Sequence, residues 1–465
     1  MKFKVSGVRL LIGSQLLSAA LSFFRNIVIV RMVTVEEYGV VAAFSLVLTF
    51  VEVISQLSFD KYLLVTDKSS VVSHLSVIHS LSIFRGIILS LPLIIFCEEI
   101  SLYFEVEEYW LFGLVALIPF IRGFTSYGYV LKQRDMDFMP ISMFELVPQL
   151  TAMLLAYPLI LLLDNLLACA ILIVSVPLIA VLTSHFLVNV KYQISWDSDS
   201  ILKIWSFSWP LLTSGILVFA SMQGDKAVVA FSYDTYQLGM FSAIFALFSM
   251  PTLILQRILT SYYTPLASNS ASVERIFDEI IAVSSFFSIL ALSGMAFIGA
   301  YLVPLILGAE YANNDYLVLA FACVFSLRVF GISHRLLPLV TGNTSVILGS
   351  TVIRCVVLPL ALYFGVIGER IELIVIVSFL GELIALVYLV YRNGRTGYDI
   401  RSTIVDLIIF LLFVASVFYM FYYHFENNLI LSILYFGLIF SCYAVIAFFI
   451  RRDFLLRAFS RLVSK

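Results

Sequence analysis

Charge is what this sequence has least of. Lys, Arg, Asp and Glu together make up 12% of the 465 residues, against about 25% in soluble globular proteins. Hydrophobic residues reach 62% and the mean hydropathy is +1.04. A soluble globule is therefore excluded, and the chain reads as an all-α polytopic membrane protein. A net charge of −2 supplies no basic surface for nucleic acid, and no polar stretch is long enough to form a separate soluble domain. Cysteine is sparse too. Cys97, Cys169, Cys323, Cys355 and Cys442 are widely spaced, with no CxxC or metal-ligand interval, and read as small apolar side chains. The five histidines are scattered, and HExxH, GxSxG and a nucleotide-binding loop are all missing. These absences argue against an enzyme, a cofactor and a bound metal, so transport by this chain would draw on an ion gradient, the membrane potential or a substrate gradient.

What is present is a series of apolar runs. At about 20 residues per span, the sequence predicts about 14 helices, near 8–31, 37–60, 74–97, 109–131, 141–163, 167–190, 203–231, 237–259, 278–303, 313–335, 345–366, 371–391, 403–423 and 429–450. The start MKFKVSGVRLLIGSQLLSAA has the form of a signal peptide, but the apolar run continues to Val33 and reads as the first span. Lys and Arg collect in alternate loops, from Lys2 and Lys4 through Lys61, Lys132, Lys191, Arg257 and Arg335 to Arg392 and Arg451, whereas CEEISLYFEVEEYW and GAEYANND lie on the other side. The positive-inside rule then places both termini in the cytoplasm. The tail RRDFLLRAFSRLVSK reads as a basic amphipathic helix lying against membrane lipid.

The opening stretch FFRNIVIVRMVTVEEYGVVAAF places Arg25 in one apolar helix and Gly39 after the turn that follows. Shifted by 200 positions, Asp225-Lys226 and Gly239 fall on Arg25-Asn26 and Gly39. Further on, Glu108-Tyr109 meets Asp315-Tyr316, Arg122 falls within one position of Arg328, and Glu145 meets Arg354. The expected organisation is a six-helix lobe over 1–200, a pseudo-symmetric six-helix lobe over 201–397, and two additional helices with the basic tail over 398–465. An even number of helices per lobe makes the repeats parallel.

Six cations remain inside predicted spans: Arg25, Arg85, Arg122, Lys226, Arg328 and Arg354. Each costs about 2.5–3.5 kcal/mol at mid-membrane, so they must line water or meet partners. Glu52, Glu145, Asp225, Glu382 and Asp406 are the intramembrane acids that can pair with them. The first four are also candidates for ion coupling, to H+ or Na+, or for gating. So many cations over both halves suggest a wet, cation-rich cavity for an anionic ligand, since guanidinium makes forked bonds to phosphate. Glu145 and Arg354, equivalent in the repeat and opposite in charge, also suggest a latch between the halves. A drug exporter for organic cations would favour an acidic, aromatic cavity, which six cations oppose. A non-transporting scaffold would have little use for them.

The segments SFFRNIVIVRMVTVEEYGVVAAFSLVLTF and SWPLLTSGILVFASMQGDKAVVAFSYDTYQLGMFSAIFAL resemble the leading helices of the two lobes in Wzx-type polysaccharide flippases of the multidrug/oligosaccharidyl-lipid/polysaccharide (MOP) superfamily. That resemblance implies a V-shaped two-lobe fold. It also implies alternating-access export of an undecaprenyl-diphosphate-linked oligosaccharide, such as an O-antigen, capsule or exopolysaccharide unit, across the bacterial inner membrane. A polysaccharide polymerase and a chain-length regulator would be partners. Arg25 sits where related lipid II flippases have an Arg-Asp pair, which implies a diphosphate contact, but Asn26 departs from the pair. Asp225 and Lys226 match the second-lobe charged pair.

Overall fold

The computed structural model describes residues 5–54, 57–66, 71–188, 190–268, 273–368, 370–395, 398, 401–424 and five positions between 434 and 441. The segment expected at 429–450, apart from those five positions, and the basic tail lie outside the described residues. The chain forms two compact units, Met1–Gln223 with Tyr233–Ser242 and Gly224–Ser232 with Ala243–Lys465.

The first unit holds α1 (Val5–Met32), α2 (Val35–Ile54), α3 (Phe59–Val65), α4 (Val71–Ile95), α5 (Cys97–Tyr103), α6 (Tyr109–Ala116), α7 (Ile118–Gly123), α8 (Gly128–Arg134), α9 (Met139–Leu162) and α10 (Asn165–Leu187). Helix α11 (Ser198–Ser232) runs through both groups of residues, and the start of α12 (Thr235–Ser268) clusters with the first. The second unit continues with α13 (Val273–Phe297), α14 (Gly299–Leu307), α15 (Asp315–Val340), α16 (Thr344–Gly368), α17 (Ile371–Gly394) and α18 (Arg401–His424).

Within the described residues the expected helices are there, and the count of about 14 spans is not confirmed. Among the described residues, 10 helices are long and apolar enough to cross a membrane, or 11 if the bent run Tyr109–Gly123 with Gly128–Arg134 is one span. The run near 109–131 is broken into α6, α7 and α8 with a 52° bend. Helix α2, which carries Glu36, Glu37 and Glu52 among its 20 residues, is not one of them. Helix α18 has a shorter apolar segment, Thr403–Tyr419.

The turn between the first two helices has a clear local cause. Thr34 and Glu37 form a capping box at the start of α2: the Thr34 amide donates to Glu37 Oε2 at 2.7 Å, and the Glu37 amide donates to Thr34 Oγ1 at 3.2 Å. Two hundred positions later, Asp234 accepts the Gln237 amide at 2.8 Å and starts α12. Both capped turns are followed by a glycine, and Gly39 and Gly239 meet backbone to backbone within the first unit.

Packing in the first unit places α9 between α1 and α10, and α4 against α7. Glycine sets the second contact. A Cβ on Gly86 would lie 2.6 Å from the Pro119 carbonyl oxygen, and one on Gly123 would lie 2.9 Å from that of Ser82. Small residues let helices approach in this way inside a membrane. An apolar cluster including Phe59, Leu63, Ile78, Tyr129 and Ile204 joins α3, α4, α8 and α11.

In the second unit α15 is buried along nearly its whole length and packs on α13 and α17. Serines join two of these helices: Ser284 donates to the Ser333 hydroxyl at 3.1 Å, and Ser288 donates to the Ser326 carbonyl at 2.8 Å. A helix hydrophobic on all sides belongs in such a place, so any charge along α15 must find its counter-charge inside the protein.

Candidate functional site

Two sets of intramembrane charges are found, one in each unit, and they are built differently. In the first unit they line a cavity of about 460 Å³, within the range of ligand-sized pockets. Its polar wall includes Arg85 and Arg122, with Glu52, Asp60 and Glu145. Phe59, Tyr127, Tyr129 and Phe144 supply aromatic surface. Prolines 119, 148 and 177 also reach the lining, where each removes one donor from its helix.

Arg85 and Arg122 each precede one of the two contact glycines, Gly86 and Gly123. Close packing of α4 on α7 is thus what brings both guanidinium groups to one wall. Arg122 Nη1 lies 3.0 Å from Glu52 Oε2, with the two side chains 44% and 24% exposed. Glu52 is within electrostatic reach of Arg85 as well. The Arg85 guanidinium lies 5.8 Å from the centre of the Phe59 ring.

On another part of the wall, Gln15 donates to Glu145 Oε1 at 3.4 Å and Ser18 donates to the Glu145 carbonyl at 3.2 Å. Tyr129 stacks on Phe144 with ring centres 4.3 Å apart. Asp60 and Glu145 both act electrostatically on Tyr129, so these two carboxylates share a neighbourhood. Arg25 stands behind the wall. Its Nη1 donates to Gln149 Oε1 at 2.9 Å and its Nη2 to Ser22 at 3.3 Å, and Gln149 is the residue that reaches the cavity.

The six cations expected together are divided between the two units, Arg25, Arg85 and Arg122 in the first and Lys226, Arg328 and Arg354 in the second. Two guanidinium groups face three carboxylates in the lining. Asp60 is the acid that sequence reasoning misses: it closes the span expected near 37–60, and the structure places it instead on the separate short helix α3.

In the second unit the charges enclose one another. Glu382, 5% exposed, is approached by three guanidinium groups. Arg328 Nε donates to its Oε1 at 2.8 Å, Arg354 Nη1 lies 3.7 Å from Oε1, and Arg335 Nη1 lies 3.9 Å from Oε2. Arg328 also reaches Asp225 at 3.9 Å, and Asp225 accepts a hydrogen bond from Ser378. Arg335 in turn donates to the Arg328 carbonyl at 2.8 Å. Lys226 Nζ sits 4.5 Å from the centre of the Phe245 ring, a cation–π contact.

Arg335 is a correction. The loop pattern assigns it to the cytoplasm, but α15 continues to Val340 and holds it, half-buried, beside Glu382. Seven positions separate it from Arg328, two turns of helix on one face, and that spacing is the signal the sequence carries. Glu145 and Arg354, expected as a latch, have partners in their own units, Gln15 and Glu382. Asp406 is buried on α18.

Comparison with known proteins adds the family. A family described as polysaccharide biosynthesis protein matches residues 28–314, more than half of the chain. The chain belongs to this family. Within the matched residues lie both repeated turns and every residue of the first-unit cavity except Ser18. An uncharacterized membrane protein in the cps region of Klebsiella pneumoniae is 23% identical over 308 residues, 64% of this chain. The match spans 63% of that relative's length. Among solved structures, the lipid II flippase MurJ in an inward closed conformation superimposes with a TM-score of 0.75 at 14% identity, covering 96% of this chain and 99% of that one. An inward-facing multidrug resistance MATE family transporter of the MOP superfamily gives 0.65 at 12% identity, covering 86% and 95%. This multi-pass membrane protein therefore shares its fold with these two solved structures.

Proposed function

We propose that this chain is a flippase that carries a polyprenyl-diphosphate-linked oligosaccharide from the cytoplasmic to the outer face of the cell membrane by alternating access. The observation that carries the reading is the Arg122–Glu52 pair with Arg85 beside it, in a cavity large enough for a ligand. Glu52 occupies the place of an anion. A phosphate oxygen that takes over the Arg122 contact releases the carboxylate, which a proton can then neutralise. Substrate binding and proton binding are coupled through that exchange at Glu52. Arg25 sets the position of Gln149. The cluster around Glu382 holds α15, α16 and α17 in register rather than contacting substrate. The polysaccharide biosynthesis family and the relative from a cps region support this reading, as does the likeness to a lipid II flippase.

The experiment is reconstitution in proteoliposomes with a fluorescent polyprenyl-diphosphate oligosaccharide. Transport by the wild type and its loss in Arg122→Ala, with the variant still folded, is the expected result. Failure of the wild type to move the lipid overturns the reading. The alternative is a cation-coupled drug exporter, and the acidic and aromatic lining is the specific observation in its favour. Uptake of an organic cation by the same vesicles, with no movement of the lipid, would establish it.

A further inference from the structure

Residues 190–197, between α10 and α11, have no regular secondary structure, yet they are tied to α4 at successive points. Ser80 Oγ accepts the Ser195 amide at 2.9 Å and lies 2.8 Å from the Ser195 carbonyl oxygen. His79 Nδ1 lies 3.3 Å from the Gln193 carbonyl oxygen, and its ring stacks on Tyr192 with centres 4.1 Å apart. Trp196 meets Phe84 edge to face, with ring centres 6.0 Å apart. Gln193, Ile194, Ser195 and Trp196 are themselves exposed, so one side of the segment is left uncovered.

The same segment reaches the cavity wall through the backbone. Helix α7 ends at Gly123, one residue after Arg122, and the polar groups released at that break need partners. Tyr192 donates its hydroxyl to the Gly123 carbonyl at 3.3 Å, His185 donates Nε2–H to the Phe124 carbonyl at 2.9 Å, and the Ser126 amide donates to Ser184 Oγ at 3.0 Å. Thr125 Oγ1 returns to the Arg122 carbonyl at 2.8 Å. Ser184 and His185 belong to α10, whereas Tyr192 is held by its stack on His79. His79 is fully buried. Its Nδ1 faces a carbonyl and so carries the hydrogen, which leaves Nε2 as a lone pair without a hydrogen-bond partner among the described residues. A second proton would put a charged donor in that place. The titratable groups facing the ring are Tyr127 from the turn before α8, Tyr192 and, on α10, His185, and none of these three is a carboxylate. The closed segment therefore requires the neutral imidazole.

We propose that residues 190–197 form a strap that fixes the end of α7, and with it Arg122, in place on the cavity wall. His79 and Tyr192 are its positioning residues and do not touch the ligand. The strap is closed while His79 is neutral and opens when the ring takes a proton. This inference rests on the flippase reading, in which Arg122 receives the diphosphate.

The test uses the full chain in detergent at about pH 7.5 and about pH 5.5, on either side of the value of about 6.5 at which imidazole titrates in water. Hydrogen exchange at the Ser195 amide, taken relative to the intrinsic rate at each pH, reports whether the strap is closed. Affinity for a fluorescent polyprenyl-diphosphate monosaccharide reports on Arg122. Protection of the Ser195 amide in the wild type should fall about tenfold between the two conditions, as uptake of one proton on opening requires. His79→Asn keeps a donor near the Nδ1 position and takes no proton, so this change should vanish, a readout that a merely structural role would not move. Tyr192→Phe keeps the ring stack and removes the bond to Gly123. It should weaken binding about threefold to tenfold at the higher pH, the range expected for one lost hydrogen bond, with folding checked by thermal unfolding. Wild-type protection that is equal in the two conditions overturns the lock, and so does a pH change retained in the folded His79→Asn variant. Unaltered affinity in folded Tyr192→Phe overturns the positioning role and leaves the flippase reading intact. A wild type that binds the lipid in neither condition overturns the flippase reading, and the positioning role falls with it.

Discussion

Gly39 and Gly239, 200 positions apart in the chain, touch through their backbones. A Cβ on Gly39 would stand 1.8 Å from the Thr235 carbonyl oxygen, and a Cβ on Gly239 would stand 2.0 Å from that of Val35. The obstacles are main-chain atoms, which cannot rotate away as a side chain can. The same turn, capped at the same position, has been placed against its own copy.

Gly39→Ala and Gly239→Ala should each destabilise the conformation described here, by about 1–3 kcal/mol as for other overpacked contacts. The measurement is thermal unfolding in detergent. A melting temperature unchanged in both variants would show that this contact is not part of the resting state.

The wall that carries Arg85 and Arg122 depends on the α4–α7 contact. Gly86→Val and Gly123→Val should separate those helices and lower transport at least about tenfold, because misplacing a ligand-contacting group by about 1 Å costs on that order or more. Gly113→Ala on α6 is the control, since its new methyl would meet nothing closer than the Cys97 sulfur at 3.9 Å. Transport rates for the three variants decide the matter: a loss in the control as large as in the other two would remove the special role of the α4–α7 contact.

Much of this is legible in the sequence, and the omissions have physical causes. Apolar runs locate the helices because a membrane demands length and hydrophobicity, and the offset of 200 locates both glycines. Breaks are invisible where apolarity continues: the steps at Leu117 and Phe124 that divide α6, α7 and α8 leave no mark on a hydropathy count. Arg335 is misplaced because a cation near the end of a span reads the same whether it faces a loop or a buried acid. The carboxylates Glu52 and Glu145 are visible singly, but sequence alone does not show that they and Asp60 share a cavity with two arginines.

In the second unit, Glu382→Ala leaves three guanidinium groups without their common counter-charge. Removing one partner of a buried ion pair costs about 3–5 kcal/mol, so this variant should accumulate poorly in the membrane and unfold at a lower temperature. Glu382→Gln, which keeps an acceptor for the Arg328 bond, should lie between Ala and the wild type in the same unfolding assay.

One pH effect is expected outside the membrane-spanning segments. The Ser200 hydroxyl and the Ser200 amide, the latter at 3.1 Å, both donate to Asp197 and hold its carboxyl below the ordinary value of 3.8. The folded value is the lower one, so the contribution to the start of α11 is complete above 3.8 and is lost as pH falls through the folded value. Hydrogen exchange at the Ser200 amide should accelerate on acidification below about pH 4. Asp197→Ser keeps a capping oxygen and should remove that dependence.

Helix α11 runs unbroken from Ser198 to Ser232, while its residues and the Tyr233–Ser242 turn are divided between the two units. The chain therefore cannot be recombined at the point where its sequence repeats. A chimera joined at residue 200 would import a foreign turn against Gly39, and its failure would reveal nothing about the donor's sugar. Exchanges meant to transplant specificity should stay inside 50–180, where every side chain of the first cavity except Ser18 travels together.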